Sequence, residues 1–275
     1  MKFRKLLAAG LAACSLLTLA ACSSDEDGTN WDDYKQDEKV LDSVTVGEGA
    51  TAGKLTFESI DSDSVCITGY VGPETPHAVT IPASVRTSED TSIPEKKVVA
   101  IAALAFHSHS NVKSITLPTG LEEIGAYAFA ECKQLETVTI PTSLKTMGDA
   151  AFYGCAKLTD IGAIGSSALQ AIPAQCYLEC TSLTSVTIPA SIKTVGAGAF
   201  QGCTGLTSVT VADGVELLGD QCFMNASNVT SLSLPSTLTN TDATKDLVFY
   251  GWTKLTAISG SGATSDYAKT IKLAD

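Results

Sequence analysis

The chain has 275 residues, with 18 Lys and Arg against 30 Asp and Glu, which gives a formal net charge of −12 at pH 7. This acidic balance excludes binding to nucleic acid and electrostatic attraction to anionic lipid, because both partners are themselves negatively charged. The length suffices for one large domain or one array of repeats.

Residues 1–21 have the layout of an export signal. A short basic start, Met1–Lys5, precedes an apolar run that ends at Ala21 and is too short for a comfortable membrane span. The run leads into Leu19-Ala-Ala-Cys22, which resembles the lipobox of bacterial lipoproteins. The resemblance implies cleavage before Cys22, lipid attachment at its thiol and acylation of the new amino terminus, a durable membrane anchor. The alternative is an ordinary secretory signal in which Cys22 is incidental.

The segment 22–50 is predicted to be an acidic, flexible tether. Residues 23–50 carry nine Asp and Glu against Lys35 and Lys39, so we expect them to be solvated and extended. The stretch Ser23-Ser-Asp-Glu-Asp27 resembles the surface-export signal of some gut-dwelling Gram-negative bacteria. The resemblance implies a lipid-anchored protein of the outer membrane that faces the cell exterior; a plain acidic linker is the alternative.

Two runs of alternating residues predict an N-terminal β cap at 51–80. Leu55–Ile60 and Val65–Tyr70 flank the polar stretch Asp61–Ser64, which predicts a β-hairpin with Cys66 inside it. A cap of this kind is needed because the first unit of a repeat array otherwise exposes its core and its strand edge.

An aromatic residue recurs about every 23 residues through the rest of the chain, and three further positions recur with it. The aromatics are Phe106, Phe129, Phe152, Tyr177, Phe200, Phe223 and Phe249. Aliphatic residues follow each aromatic by six and by nine residues. The position three residues after each aromatic holds His109, Cys132, Cys155, Cys180, Cys203, Ala226 and Trp252. Four registers that persist over seven units predict a stack of similar coils.

The unit Leu183–Cys203 gives the physical reason for the pattern. Ser185–Ile188 alternates polar and apolar residues, as a strand with one buried face does, and Pro189 ends the strand because it cannot continue a ladder. Gly196 permits a tight bend, and Phe200 fills the far side of the coil. About six buried apolar side chains at roughly 1.5–3 kcal/mol each do not offset the cost of ordering a coil at about 1–2 kcal/mol per residue. A single coil is therefore unstable, and the coils must stack.

The units Ile140–Cys155 and Ile188–Cys203 resemble the BspA-type leucine-rich repeat of bacterial surface proteins, as does the entry Val65–Gly72 with Val79–Pro82. The resemblance covers roughly residues 55–260. It implies a curved solenoid that serves adhesion and protein recognition without enzymatic activity.

The predicted fold class is a repeat solenoid. Leucine-rich repeats of about 23 residues at 81–260 place a parallel sheet on one face, with turns and short helical pieces on the other. The capping β-hairpin precedes the array, and a C-terminal cap at 261–275 follows it. Within that cap, Tyr267–Leu273 is a candidate last strand.

Seven cysteines remain when Cys14 of the signal and Cys22 are set aside, and full internal pairing of an odd number is impossible. Four of them share the register after the aromatic, and two share a register where other coils have Ala. We interpret these positions as compact packing sites. A metal site at Cys176 and Cys180, and disulfides between neighbouring coils, are the alternatives. The seven are Cys66, Cys132, Cys155, Cys176, Cys180, Cys203 and Cys222.

No pattern in the chain predicts catalysis. His109 takes the register of the cysteines, and Ser261 lies in a Gly-Ser-Gly loop without a base nearby in sequence. The sequence contains no His-Glu-x-x-His pair, no glycine-rich phosphate loop and no serine elbow. We predict no enzymatic activity, no cofactor and no metal.

The outward positions of the strands form a nearly uniform row of Ser and Thr. This row lacks the aromatic and arginine anchors of protein hot spots and the aromatic platforms of sugar sites. Specificity is therefore expected where the scaffold departs from regularity: the insertion at 86–98, the lengthened coil around Ile164–Ser167, and the side chains that follow the buried aromatics. The candidate binding residues are Tyr153, Leu178, Met224, Tyr250, Asp160, Glu89 and Asp90.

The leading hypothesis is a surface lipoprotein that displays the repeat array for adhesion or recognition of a protein from the host matrix or the cell envelope. The first alternative is a glycan-capturing lipoprotein of a nutrient-uptake system. The second is a structural spacer of the envelope that binds no particular ligand.

Overall fold

The computed structural model describes residues 42–87, 94–162, 164–239 and 247–271. The predictions for the signal peptide 1–21, for Cys22, and for Glu89 and Asp90 fall outside these ranges. Within them, no helix is both long and apolar enough to cross a membrane.

The N-terminal cap is an antiparallel meander of three strands, β1 (Asp42–Val46), β2 (Gly53–Ser59) and β3 (Ser64–Val71). Strands β2 and β3 are the predicted hairpin, and Cys66 lies buried within it. The predicted tether boundary at residue 50 is too late, because β1 pairs with β2 along its whole length. Its apolar residues, Val44 and Val46, pack against the core. The acidic residues around this short alternation concealed it in the sequence.

Strands of successive coils line up in two rows along the solenoid. The first row is the parallel sheet that the alternating residues predict. It is divided into two sheets, and neighbouring coils pair in register, as Val186 does with Val209. One sheet contains β4 (His77–Thr80), β7 (Val112–Thr116) and β9 (Thr137–Thr139). The other contains β12 (Ser185–Ile188), β14 (Ser208–Val211), β16 (Ser231–Ser233) and β17 (Ala257–Ser259).

A second row of parallel strands was not predicted. Turns and short helical pieces were expected there, but most coils contribute a strand of two residues. Such strands are too short to produce an alternation in the sequence. This row continues the sheet of the cap through β6 (Lys96–Ile101), β8 (Glu123–Ile124) and β10 (Thr146–Met147), with β5 (Ser84–Val85) antiparallel to β6. A separate sheet contains β11 (Ala171–Ile172), β13 (Thr194–Val195) and β15 (Leu217–Leu218).

The third side of each coil is a tight turn centred on the buried aromatic, and we name the seven turns together the turn face. Its backbone N–H groups bond to the next coil; Tyr127 donates to the carbonyl of Asp149 at 3.0 Å, and Phe129 donates to Ala151 at 2.8 Å. The residues two before and two after the aromatic adopt positive φ in all seven turns, and ten of these residues are not glycine. The turn face comprises residues 102–108, 125–131, 148–154, 173–179, 196–202, 219–225 and 247–251.

The centre of the solenoid is a column of stacked aromatic rings. Consecutive rings from Phe106 to Phe249 have centroids 5.1 to 6.1 Å apart. Tyr70 of the cap extends the column at one end, 5.2 Å from Phe106. Trp252 and Tyr267 meet Phe249 edge-on at the other end. The predicted aromatic register is therefore the core of the molecule.

The lengthened coil, the fourth in the array, interrupts both rows of strands. Gly162 adopts a φ of 75° and donates its N–H to the Asp160 carboxylate, and a 3-10 helix at Ile164–Ser166 replaces the usual turn. The turn face runs through this coil without a break, because Phe152 donates to the carbonyl of Cys176 at 2.9 Å. Turn face and aromatic column together hold the two halves of the array in line.

The C-terminal cap contains a short helix, α1 (Asp266–Lys269), where a last strand was a candidate. The Ser265 side chain caps this helix by accepting the N–H of Ala268. Helix formation turns Tyr267 inward against Phe249, which covers the last ring of the column. Residues 272–273 of the candidate strand lie outside the described ranges.

Candidate functional site

The cysteine register has a hydrogen-bonding role that its sequence pattern did not reveal. Each of its four thiols donates to the backbone carbonyl of the aromatic residue in the preceding coil. The Sγ–O distances are 3.1 Å from Cys132 to Phe106, 3.2 Å from Cys155 to Phe129, 3.3 Å from Cys180 to Phe152 and 3.1 Å from Cys203 to Tyr177. A buried carbonyl has two lone pairs to satisfy, and the thiols supply the second donor.

His109 and Trp252 take the same role at the two ends of the array. The Nε2 of His109 donates to the carbonyl of Tyr70 at 2.7 Å, and the indole N–H of Trp252 donates to Phe223 at 2.8 Å. Six of the seven side chains at this repeat position therefore donate a hydrogen bond to a backbone carbonyl, in addition to filling the space between coils. Ala226 is the member of the register that has no donor.

We predict that Ala226→Cys raises the free energy of unfolding by about 1 kcal/mol. Ala226 is fully buried, and the carbonyl of Phe200 that faces this register accepts the N–H of Cys203. The new thiol would supply a second donor, as in the four other coils. Urea denaturation followed by circular dichroism measures the change. Ala226→Val is the matched control, because it adds volume without a donor; an equal gain from it would contradict the explanation.

All seven cysteines in the described residues are buried, and none of them forms a disulfide. Burial raises the pKa of Cys132 and of Cys203 to about 12, and that of Cys66 also to about 12. No three or more His, Cys, Asp or Glu in the described residues lie close enough together to hold a metal ion. A raised pKa favours the protonated thiol, which is a weaker nucleophile and a weaker metal ligand than the thiolate.

We expect the thiols of the folded protein to resist iodoacetamide in neutral buffer and to react once guanidinium unfolds the chain. The raised pKa values also make stability depend on pH. Above the ordinary thiol pKa of about 8.5 the unfolded chain releases protons that the folded chain retains up to about 12, so stability falls as pH rises through this window. Mass spectrometry of alkylated protein and denaturation at increasing pH measure the two effects. Rapid alkylation of the folded protein would contradict the burial.

The hydroxyl groups that border the first row of strands hold the coils together. Thr207 donates to the carbonyl of Thr184 at 3.0 Å, and Thr230 donates to that of Thr207 at 3.3 Å. Thr159 makes the same bond to Glu136 at 3.1 Å. These Thr side chains therefore bond neighbouring coils to one another.

The turn face brings together four of the predicted binding residues. Tyr153, Leu178, Met224 and Tyr250 each follow the buried aromatic of their coil, and Tyr250 is 60% exposed while the other three are half-buried. Tyr127, which is 40% exposed, lies on the same face and was missed because it precedes its aromatic. Asp160 is separate from this group, since its carboxylate accepts the N–H of Gly162 in the lengthened coil.

The charged residues of the turn face are all acidic. Its seven segments contain no Lys or Arg and four acids, Glu131, Asp149, Glu179 and Asp220. Glu131 is paired with Lys133, which lies just outside the face, at 3.0 Å. The negative charge of Glu179, with smaller contributions from partial burial and from Glu131, raises the pKa of Tyr153. Tyr153 thus lies among carboxylates.

A groove of about 300 Å³ lies where the cap meets the first coil. The Tyr70 hydroxyl lies 2.8 Å from Nε2 of His77, whose Nδ1 lies 2.8 Å from the carbonyl of Thr75. Because a carbonyl only accepts, Nδ1 carries the proton of the neutral ring and Nε2 accepts from Tyr70. These side chains, with His109, join the cap to the first coil, which is a structural task. The sequence did not predict the groove.

The chain matches the family model described as BspA type leucine-rich repeat region, in six copies over residues 84–167 and 170–268. A search among curated proteins finds no match to the chain.

Crystal structures of bacterial leucine-rich repeat proteins are similar to this fold. A leucine-rich cell surface protein from Faecalibacterium prausnitzii shares 28% identity over 79% of this chain and 54% of its own, with a TM-score of 0.63. The leucine-rich repeat protein of T. pallidum shares 26% identity over 77% of this chain and 86% of its own, with a TM-score of 0.58. One from Bacteroides ovatus shares 27% identity over 74% and 45%, with a TM-score of 0.51. This chain therefore spans about half the length of the F. prausnitzii protein.

Proposed function

Because this chain belongs to the BspA-type leucine-rich repeat family, we propose that it is a non-enzymatic recognition scaffold, held outside a bacterial cell by a lipid on Cys22. Its partner is a protein of the host matrix or of the cell envelope. The observation that carries this proposal is the turn face, where six of the seven turns have an exposed or half-buried apolar or aromatic side chain.

The geometry of the turn face suits a binding platform. Its inter-coil hydrogen bonds continue from the first coil through the lengthened one, whereas both rows of strands stop there. The exposed side chains therefore project from a backbone that neighbouring coils hold on both sides. A rigid platform binds at a smaller cost in conformational entropy than a loop does. Tyr is also among the residues that dominate binding energy at protein interfaces.

The surface location rests on the sequence and on the relatives. The lipobox at Leu19–Cys22 and the acidic stretch after it support lipid anchoring and export. The F. prausnitzii relative is described as a cell surface protein. Metabolic labelling with palmitate tests the anchor, with Cys22→Ser as the control, and protease treatment of whole cells tests exposure. Equal labelling of both chains, or full protection from protease, would overturn this part of the proposal.

Binding itself is tested with a panel of purified host-matrix and outer-membrane proteins. We expect the chain to bind at least one of them, and Tyr153→Ala and Tyr250→Ala to weaken that binding about tenfold each. Leu217→Ala is the matched control, because Leu217 is 41% exposed but lies on the second row of strands. No binding above an unrelated acidic lipoprotein, or equal losses in the control, would overturn the proposal.

A further inference from the structure

Acids on two sides of the repeat array differ in their partners. Directly before strands of the second row, two acids pair with lysines of adjacent coils: Glu122 with Lys145 at 2.8 Å, and Glu216 with Lys193 at 3.6 Å. On the turn face, Asp149, Glu179 and Asp220 form no ion pair with any described residue. Glu122 and Glu216 are thus neutralised within the protein, and Asp149, Glu179 and Asp220 are not.

The uncompensated acids flank an apolar band. In six of the seven turns, an exposed or half-buried apolar side chain lies two before or one after the aromatic; the turn of Phe200 has none. These acids lie just outside them, Glu179 two after its aromatic, and Asp149 and Asp220 three before theirs. An apolar centre with a charged rim is the usual anatomy of a protein interface. On the turn face, the rim carries only negative charge. The band consists of Leu104, Tyr127, Tyr153, Leu178, Met224, Leu247 and Tyr250.

We propose that the turn face binds a basic segment of a protein partner, with Lys or Arg placed beside aromatic or aliphatic side chains. The inference rests on the proposed function and names its partner's chemistry. The apolar side chains of the partner would cover the apolar band, and its Lys or Arg side chains would pair with Glu179, Asp149 and Asp220. Arg and Lys also interact favourably with the faces of exposed tyrosines. An acidic or glycan partner would leave these carboxylates uncompensated.

The test uses two synthetic peptides that share the same Trp and Leu residues, one with Lys and one with Glu at the remaining positions. Fluorescence anisotropy measures their binding to the exported chain with Cys22→Ser, which removes the lipid. We expect only the Lys peptide to bind, and its Kd to rise at least tenfold between low salt and about 0.3 M salt. The double variant E179Q/D220N is expected to weaken binding about fivefold.

The matched control is E122Q/E216Q, which also removes two carboxylates, but beside the second row of strands and away from the turn face. An equal loss in this control would show diffuse attraction to an acidic protein and overturn the inference. Loss of matrix-protein binding in Tyr153→Ala but not in E179Q/D220N would overturn the basic partner and leave the proposed function standing. Insensitivity to both variants would overturn both.

Discussion

Replacing Phe152 with Ala is expected to lower the free energy of unfolding by about 4 kcal/mol, the largest effect of any substitution considered for this protein. Phe152 is fully buried, and its ring stacks between Phe129 at 5.2 Å and Tyr177 at 5.6 Å. Its coil is followed by the lengthened coil, where neither row of strands is continuous. The aromatic column and the turn face are therefore the main link between the two halves.

Urea denaturation followed by circular dichroism measures this loss. Because a repeat array owes its stability to contacts between neighbours, we also expect the variant to unfold in two steps, one for each half. Tyr250→Ala is the control, since that ring is 60% exposed, and it should cost less than about 1 kcal/mol. A loss from Phe152→Ala as small as the control's would contradict the role of the column.

The second large effect is expected from Gly196→Ala, which should destabilise the fold by about 3 kcal/mol. A Cβ at Gly196 would lie 2.6 Å from the carbonyl carbon of Pro173 and closer still to the amide of Ala174. Both atoms are backbone, so the added methyl can be accommodated only if two coils separate. The same register holds Gly125, Gly148 and Gly219, and a Cβ there would also meet the backbone of the preceding coil.

Gly120→Ala is the matched control for this prediction. A Cβ at Gly120 would meet no atom within 4 Å, and its φ is not positive. There the change should be neutral or stabilise by about 0.4–1 kcal/mol, because Ala loses less backbone entropy on folding. Thermal unfolding of both variants compares the two sites. Equal shifts in Tm would show that the close approach of the coils does not matter. Gly196 had been expected to permit a bend, whereas its role in the structure is this close approach.

The repeat fold could be predicted because the same types of side chain recur at the same positions of each repeat. The Phe at every coil centre and the alternation in Ser185–Ile188 arise from burial, and burial leaves a period in any sequence. The second row of strands left almost no such trace, since β13 and β15 have two residues each. They are strands because neighbouring coils bond to them, and a two-residue segment has no detectable preference of its own.

The candidate site was predicted in part for the same reason. Tyr153, Leu178, Met224 and Tyr250 share a register, so the period placed them on one side of the solenoid. Tyr127 joined them only through the tight turns, whose positive φ values are fixed by bonds between coils.

The sequence by itself determined the coil, its buried aromatic, its strand-forming Ser and Thr positions and the compactness required of the cysteines. Only the tertiary structure decided what each coil does for the next. Examples are the thiol that donates to a carbonyl 26 residues earlier, as Cys132 does to Phe106, and the lysines that pair with Glu122 and Glu216 of adjacent coils. The physical reason is that these contacts join residues one coil apart. The geometry of these contacts depends on how the coils stack, and the conformational preference of a short segment does not determine it.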